Sequence, residues 1–160
     1  KDPVRDALRM LTYGLYVVTT RLDDEVHAAT VTWVTQASFN PRLVLVGLKR
    51  GTRIYEVVKE SGRFALNIVG AGQQDLASAF FKFVEADTEA KKIGEYAYEE
   101  GKSGIPLLLD TPAWIECRVL QEASELSDHA FFFAEVTGAG VRRPDLLPMA
   151  LRDTPWSYGG

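Results

Sequence analysis

HAATVTWVTQASFNPRLVLVGLKRGTR, residues 27–53, carries a band of hydroxyls in its first half and three cations around a glycine at its end. Thr30, Thr32, Thr35 and Ser38 are too polar for an ordinary core, whereas RLVLVGLK, residues 42–49, is the continuous apolar run of a buried strand. Asn40 and Pro41 break the pattern between the two halves. The stretch therefore reads as two strands and a basic turn, and the hydroxyl band together with Lys49, Arg50 and Arg53 suits a polar, anionic ligand.

Working outward, residues 14–22 (GLYVVTTRL) form a β-branched and aromatic strand. LDDE is a polar turn, and residues 25–37 (EVHAATVTWVTQA) are predicted as the antiparallel neighbour. After the basic turn, Thr52 is a plausible N-cap for a helix over 52–61 with Ile54, Val57 and Val58 on one face, and Gly62 supplies its stop. RFALNIV is a further strand. DLASAFFKF, residues 75–83, is read as a short helix with Leu76, Phe80 and Phe83 at helical spacing. Residues 84–105 are charged and lack a sustained apolar period, which predicts a long surface excursion. AWIECRVLQEA (113–123) and HAFFFAEVTGAGVRR (129–143) are strands flanking the turn SELSD. At the start, Val4, Ala7, Leu8 and Leu11 predict an amphipathic helix opened by Pro3. At least six strands, short helices and no regular strand–helix alternation predict a mainly β protein, an antiparallel barrel formed by one domain over 1–160.

The composition fits: 160 residues, 46% hydrophobic and 25% charged, suffice for one buried core. A formal charge of −4 argues against a general nucleic-acid binder. No apolar stretch approaches the roughly 18 residues of a membrane span, and residues 1–20 lack the order of a signal peptide, so a cytoplasmic protein is expected. Cys117 is the only cysteine, and its alternating neighbours suggest a buried structural thiol rather than a reactive one.

LKRGTR sets cations and a glycine between a buried strand and a helix N-terminus, where free N–H groups and the helix dipole favour an anion. It is not a Walker loop, and a solvated basic turn is the competing reading. The hydroxyl band either lines a ligand or is the wet face of a strand. Ala28 and Ala29 would let a flat ring approach the backbone, so a ligand with both a planar ring and a phosphate would use both halves. His27 and His129 are the only histidines, and neither has a second ligand at metal-binding spacing. His129 sits where a polar turn enters a strand, a place exposed enough to meet a substrate. No serine occupies a G-x-S-x-G elbow, and the two Phe groups, 80–83 and 131–133, read first as core.

Taken in order, YGLYVVTT, TVTWVTQASFNPRLVLVGL, LKRGTR running into IYEVVKESGRFALNIV, LASAFFK, AWIECRV, SDHAFFFAEV and LRDTPWSYGG resemble the flavin reductase-like family of FMN-binding split barrels over nearly the whole chain. The closing DTPWSYGG resembles the subgroup of small ferric and flavin reductases and flavoredoxin-like proteins. The resemblance implies a split β-barrel, a homodimer, and one FMN, with FAD as the other candidate. It makes Thr30, Val31, Thr32, Trp33, Val34 and Thr35 a wall around the flavin ring and ribityl chain, and Lys49, Arg50, Gly51, Thr52 and Arg53 the phosphate turn. It brings Asn67, Phe81, Lys82 and Trp156 near the flavin, with Tyr158 in the same terminal segment. The family's G-D-H turn, which sets its histidine against the nicotinamide, reads Ser127-Asp128-His129 here, with serine where glycine would allow positive φ.

The implied activity is transfer of electrons from NADH or NADPH through flavin to free flavin, ferric chelate or a protein acceptor. The cofactor would carry the chemistry, with no side chain required as a catalytic acid or base and no metal. The alternative is a flavoredoxin-like electron-transfer module without its own NAD(P)H site, reduced by a partner. A pyridoxamine-phosphate oxidase-like enzyme on a related barrel fits the terminal aromatic segment less well.

Overall fold

The computed structural model describes residues 1–160. Strands β1 (Tyr16–Leu22) and β2 (Glu25–Val31) form the expected hairpin around Asp23 and Asp24. The strand expected over residues 25–37 is divided: β2 stops at Val31, and β3 (Val34–Ser38) starts after Thr32 and Trp33. The reason is non-local, because β2 pairs with β1 whereas β3 pairs with β4 (Leu43–Lys49), so the chain passes between two sheet edges within two residues. Period-2 alternation persists through both strands and hides the break.

Thr52 caps helix α2 (Arg53–Ser61), accepting from the Tyr55 N–H at 3.3 Å, and Gly62 ends it at φ 72°, a left-handed position that suits glycine. Ile54, Val57 and Val58 are its buried face, as the periodicity requires. The chain then enters β5 (Arg63–Ile68), and β10 (Ala113–Ala123) and β11 (His129–Val141) later complete the large sheet. Its order is β2-β1-β5-β10-β11-β4-β3, antiparallel throughout. The two edge strands are consecutive in the chain yet unpaired, so the barrel is split where Thr32 and Trp33 join them.

Three local expectations change. Helix α3 covers only Gln74–Ala79; Phe80 is buried just beyond it, while Phe81 and Phe83 are exposed in the following turn, so they share no helix face. Residues 84–105 are more than a surface excursion. Short strands β6 (Ala86–Asp87), β7 (Lys92–Ile93) and β8 (Tyr96–Glu100) pair in series and end on β9 (Pro106–Leu108). Ile93, Tyr98 and Ile105 are buried there, too widely spaced among charges to produce a periodic signal. Helix α1 (Pro3–Leu8) forms under the Asp2 cap but buries no residue, leaving Val4 and Leu8 uncovered.

The core has two main parts. Val18, Val46, Leu48, Phe64, Leu66 and Phe132 fill the barrel, while Leu15, Val17, Leu76, Phe80, Ile93 and Leu108 pack the barrel against the small sheet. Each fully buried large side chain contributes about 2 kcal/mol. Cys117 lies in the barrel part, and burial pushes its thiol up to about 12, as expected of a structural cysteine. Phe132 is core, with Phe131 and Phe133 half-buried beside it.

Candidate functional site

The split opens into a cavity of about 920 Å³. One wall is β2 and the Thr32-Trp33 link, with the small Ala28 and Ala29 in its floor; β4 and the start of α2 supply the opposite wall. Phe81, Lys82 and Phe83 stand at the mouth with Trp156, which meets Phe81 edge-on at 4.8 Å.

At the split the wall has spare hydrogen-bonding capacity. Thr32 Oγ1 and Trp33 Nε1 are buried and have no partner. Both residues line the cavity, although these two atoms are themselves shut off from solvent, and Thr32 as a whole is only 8% exposed. Thr30 also lines the cavity, but its hydroxyl donates to the Ala77 carbonyl at 2.7 Å and its N–H to the Phe80 carbonyl at 3.0 Å, so both groups tie β2 to α3. Val31 contributes to the lining. Val34 packs on the barrel core and Thr35 points its hydroxyl at the Gln36 carbonyl; neither reaches the cavity.

The basic turn closes the far end. Lys49, Thr52 and Arg53 line the cavity beside the N-terminus of α2, where the first helical N–H groups lack intrahelical acceptors. Each cation already has a partner. Arg53 makes a bidentate pair with Glu25 at 2.6 and 2.7 Å, and Lys49 lies 3.7 Å from Asp128. Arg53 holds the Glu25 carboxyl below its ordinary range, helped by His27 at 2.5 Å. Arg50 is turned away, donating to the Ser124 and Ser127 carbonyls at 3.1 Å, and so braces the β10–β11 turn. Gly51 sits at φ 81° with open space around it and does not line the cavity.

Two expected positions differ. Asn67 lies outside the cavity, fully buried between strands: its amide donates to the Val17 carbonyl at 2.9 Å and to Thr19 Oγ1 at 3.0 Å, and accepts from the Leu108 N–H at 2.8 Å. His129 is not exposed but 5% accessible, because Trp33 lies tilted against its ring, centroids 4.2 Å apart, and the segment carrying Tyr158 covers it. Its Nδ1 is 2.8 Å from Asp128 Oδ1 and its Nε2 is 2.5 Å from the Tyr158 hydroxyl. Serine in place of glycine is accommodated: Ser127 has no positive φ, and its hydroxyl accepts from the His129 N–H at 3.0 Å.

Glu25 was absent from the sequence-derived site. The signal was available, since Glu25 and His27 are two apart on a strand and therefore share a face. What period 2 does not reveal is that this face meets the start of α2.

The model of the flavin reductase like domain matches residues 8–154. The chain is 33% identical over 138 residues to the NADH-dependent flavin reductase StyB of Pseudomonas fluorescens, covering 86% of this chain and 76% of that protein. It is 30% identical over 142 residues to diflavin flavoprotein A 1 of a Synechocystis strain, covering 88% of this chain but only 24% of that longer protein. The solved styrene monooxygenase flavin reductase (SMOB) of Pseudomonas putida S12 superposes with a TM-score of 0.79 at 28% identity, covering 99% of this chain and 97% of that one. With a split antiparallel barrel, a cavity at the split and a family match over nearly its whole length, the chain belongs to the flavin reductase-like family.

Proposed function

We propose that residues 1–160 are a single FMN-binding oxidoreductase domain that takes electrons from NADH or NADPH and passes them to free flavin, ferric chelate or a protein acceptor. The observation carrying the reading is the cavity at the split, whose lining residues Thr32 and Trp33 hold two buried, unpartnered groups, Oγ1 and Nε1. Leaving such groups unpaired costs about 1–3 kcal/mol each, a cost a polar ring bound beside them would remove. Ala28 and Ala29 leave room for that ring, and the volume lies in the upper part of the roughly 300–1,000 Å³ range of small-molecule sites.

The donor set fits FMN. Thr32 and Trp33 would hold the ring, and Lys49, Arg53 and the α2 N-terminus the phosphate. A flavin bound here supplies the capacity to accept a hydride and release electrons. Phe81 and Trp156, which pack edge-on at the mouth, would shield the ring there. Arg50 supports the site one step removed, by bracing the turn that carries His129. No lining side chain has to act as acid or base. NADH is favoured as donor by the match to an NADH-dependent relative.

We place the protein as a cytoplasmic homodimer. The free, buried Cys117 suits a reducing compartment, and the uncovered Val4 and Leu8 of α1 suit a partner copy. No helix is long and apolar enough to cross a membrane. The second reading, an electron-transfer module reduced by a partner, draws on the match to one segment of a longer diflavin flavoprotein.

The test begins with flavin titration of wild type and of the Lys49→Ala/Arg53→Ala variant. Roughly 30-fold weaker FMN binding is expected in the variant, on the scale of lost charge-assisted hydrogen bonds. Unchanged affinity removes the phosphate from this turn. Anaerobic NADH or NADPH should then bleach the flavin of the wild type; bleaching by dithionite but by neither nucleotide would select the electron-transfer module.

A further inference from the structure

His129 is poorly placed to touch a dinucleotide. One ring nitrogen faces Asp128, the other faces Tyr158, and Trp33 covers the ring at 4.2 Å. What this cluster presents to the cavity is Tyr158, which lines it and is 42% exposed. Tyr158 is itself held in place: Arg9 Nε donates to the Gly159 carbonyl at 3.0 Å on one side, and Trp156 rests on Phe81 on the other.

The hydrogen bonds can be assigned a direction. The Asp128 carboxyl is held below its ordinary range by His129 and Lys49, so it is a carboxylate and accepts from Nδ1–H. Burial and the Asp128 charge raise the Tyr158 phenol, which keeps its proton; with the single ring hydrogen of His129 on Nδ1, facing Asp128, the phenol donates to Nε2. The phenolic oxygen is left with free lone pairs and no spare hydrogen. Such an oxygen recognises an N–H donor, and the primary carboxamide of nicotinamide carries one.

We infer that Tyr158, rather than His129, is the polar contact for the nicotinamide carboxamide, and that His129 is a positioning residue acting through the Tyr158 hydroxyl. The inference rests on the reductase reading. It makes the terminal segment part of the donor site and accounts for the burial of a histidine that would otherwise have to be uncovered.

The experiment compares two oxidised dinucleotides on the FMN-loaded protein by calorimetry. One is NAD⁺. The other is 3-acetylpyridine adenine dinucleotide, which keeps the ring carbonyl but replaces NH₂ with methyl. Wild type should prefer NAD⁺ by about 5-fold, the scale of one neutral hydrogen bond. Tyr158→Phe should weaken NAD⁺ by a similar factor, leave the analogue unchanged and so erase the preference, with its melting temperature and FMN affinity showing that it is folded. Equal weakening of both ligands, an intact preference, or tighter NAD⁺ binding in Tyr158→Phe overturns the inference, the last by identifying the uncovered imidazole as the contact. A wild type that binds neither NAD⁺ nor NADP⁺ and is bleached by neither NADH nor NADPH overturns the reductase reading and this inference together. Bleaching of wild type with a failed ligand comparison overturns the inference alone.

Discussion

Asn67 and Thr32 are both polar and both buried, yet they do opposite things. Asn67 stands where β1, β5 and β9 meet, fully enclosed, and its side chain serves three partners there. Thr19, one of them, passes the network on by donating to the Pro106 carbonyl at 2.6 Å. Thr32 stands at the split with a hydroxyl that has no partner in the chain. A satisfied buried polar group stabilises a particular strand arrangement, whereas an unsatisfied one beside a cavity costs stability until something binds. Burial alone would have classed the two residues together; their partners separate them.

The largest effect that tests this contrast is on stability. Asn67→Ala should cost about 3 kcal/mol in chemical denaturation, because it strands the buried Leu108 N–H and the groups it served on β1. Its FMN affinity should stay at the wild-type value; a large loss of affinity would return Asn67 to the site. Thr32→Val should behave in the reverse sense. Stability should hold or rise slightly, while FMN binding weakens by about 1 kcal/mol, roughly 5-fold, in a fluorescence titration. Equal affinity would show that the free hydroxyl is no ligand.

The smallest effect lies at the other end of the cavity, where the cations are paired rather than free. Glu25→Gln should release Arg53 and tighten FMN about 2- to 3-fold at low salt, the modest scale of an exposed ion pair. The sign with pH follows from the lowered Glu25 carboxyl. Its pair with Arg53 is complete above the ordinary carboxylate value of about 4.3 and is lost only as pH falls through the lower folded value. Wild type and Glu25→Gln should therefore differ at pH 7 and still differ at pH 5, and converge only in stronger acid. Convergence already at pH 5 would show that Glu25 does not hold Arg53.

Much of the candidate site's lining was legible because its signals are local. The cations, the glycine and the capping threonine lie within five consecutive residues, 49–53, and Ala28 and Ala29 announce room in the wall wherever the strand goes. Asn67 and Arg50 lie off the cavity for a related reason: a side chain's type is local, but its partner is not. The Arg50 acceptors lie in the turn 74 and 77 residues away, and the Leu108 N–H bonded to Asn67 is 41 residues off.

By itself, the sequence determined the elements whose causes fit within a few residues. These are α2 between its Thr52 cap and its Gly62 stop, the β1–β2 hairpin, and β10 over 113–123 by alternation. It also determined the order of family-like segments along the chain. Tertiary structure alone decided that one continuous alternating run is cut at Thr32 and Trp33, that residues 84–105 bury three apolar side chains, and that the terminal tyrosine lies on His129. Periodicity and capping are set by neighbours along the chain. Which donors are left unpaired, and so which residues can greet a ligand, is set by which distant strands and segments meet.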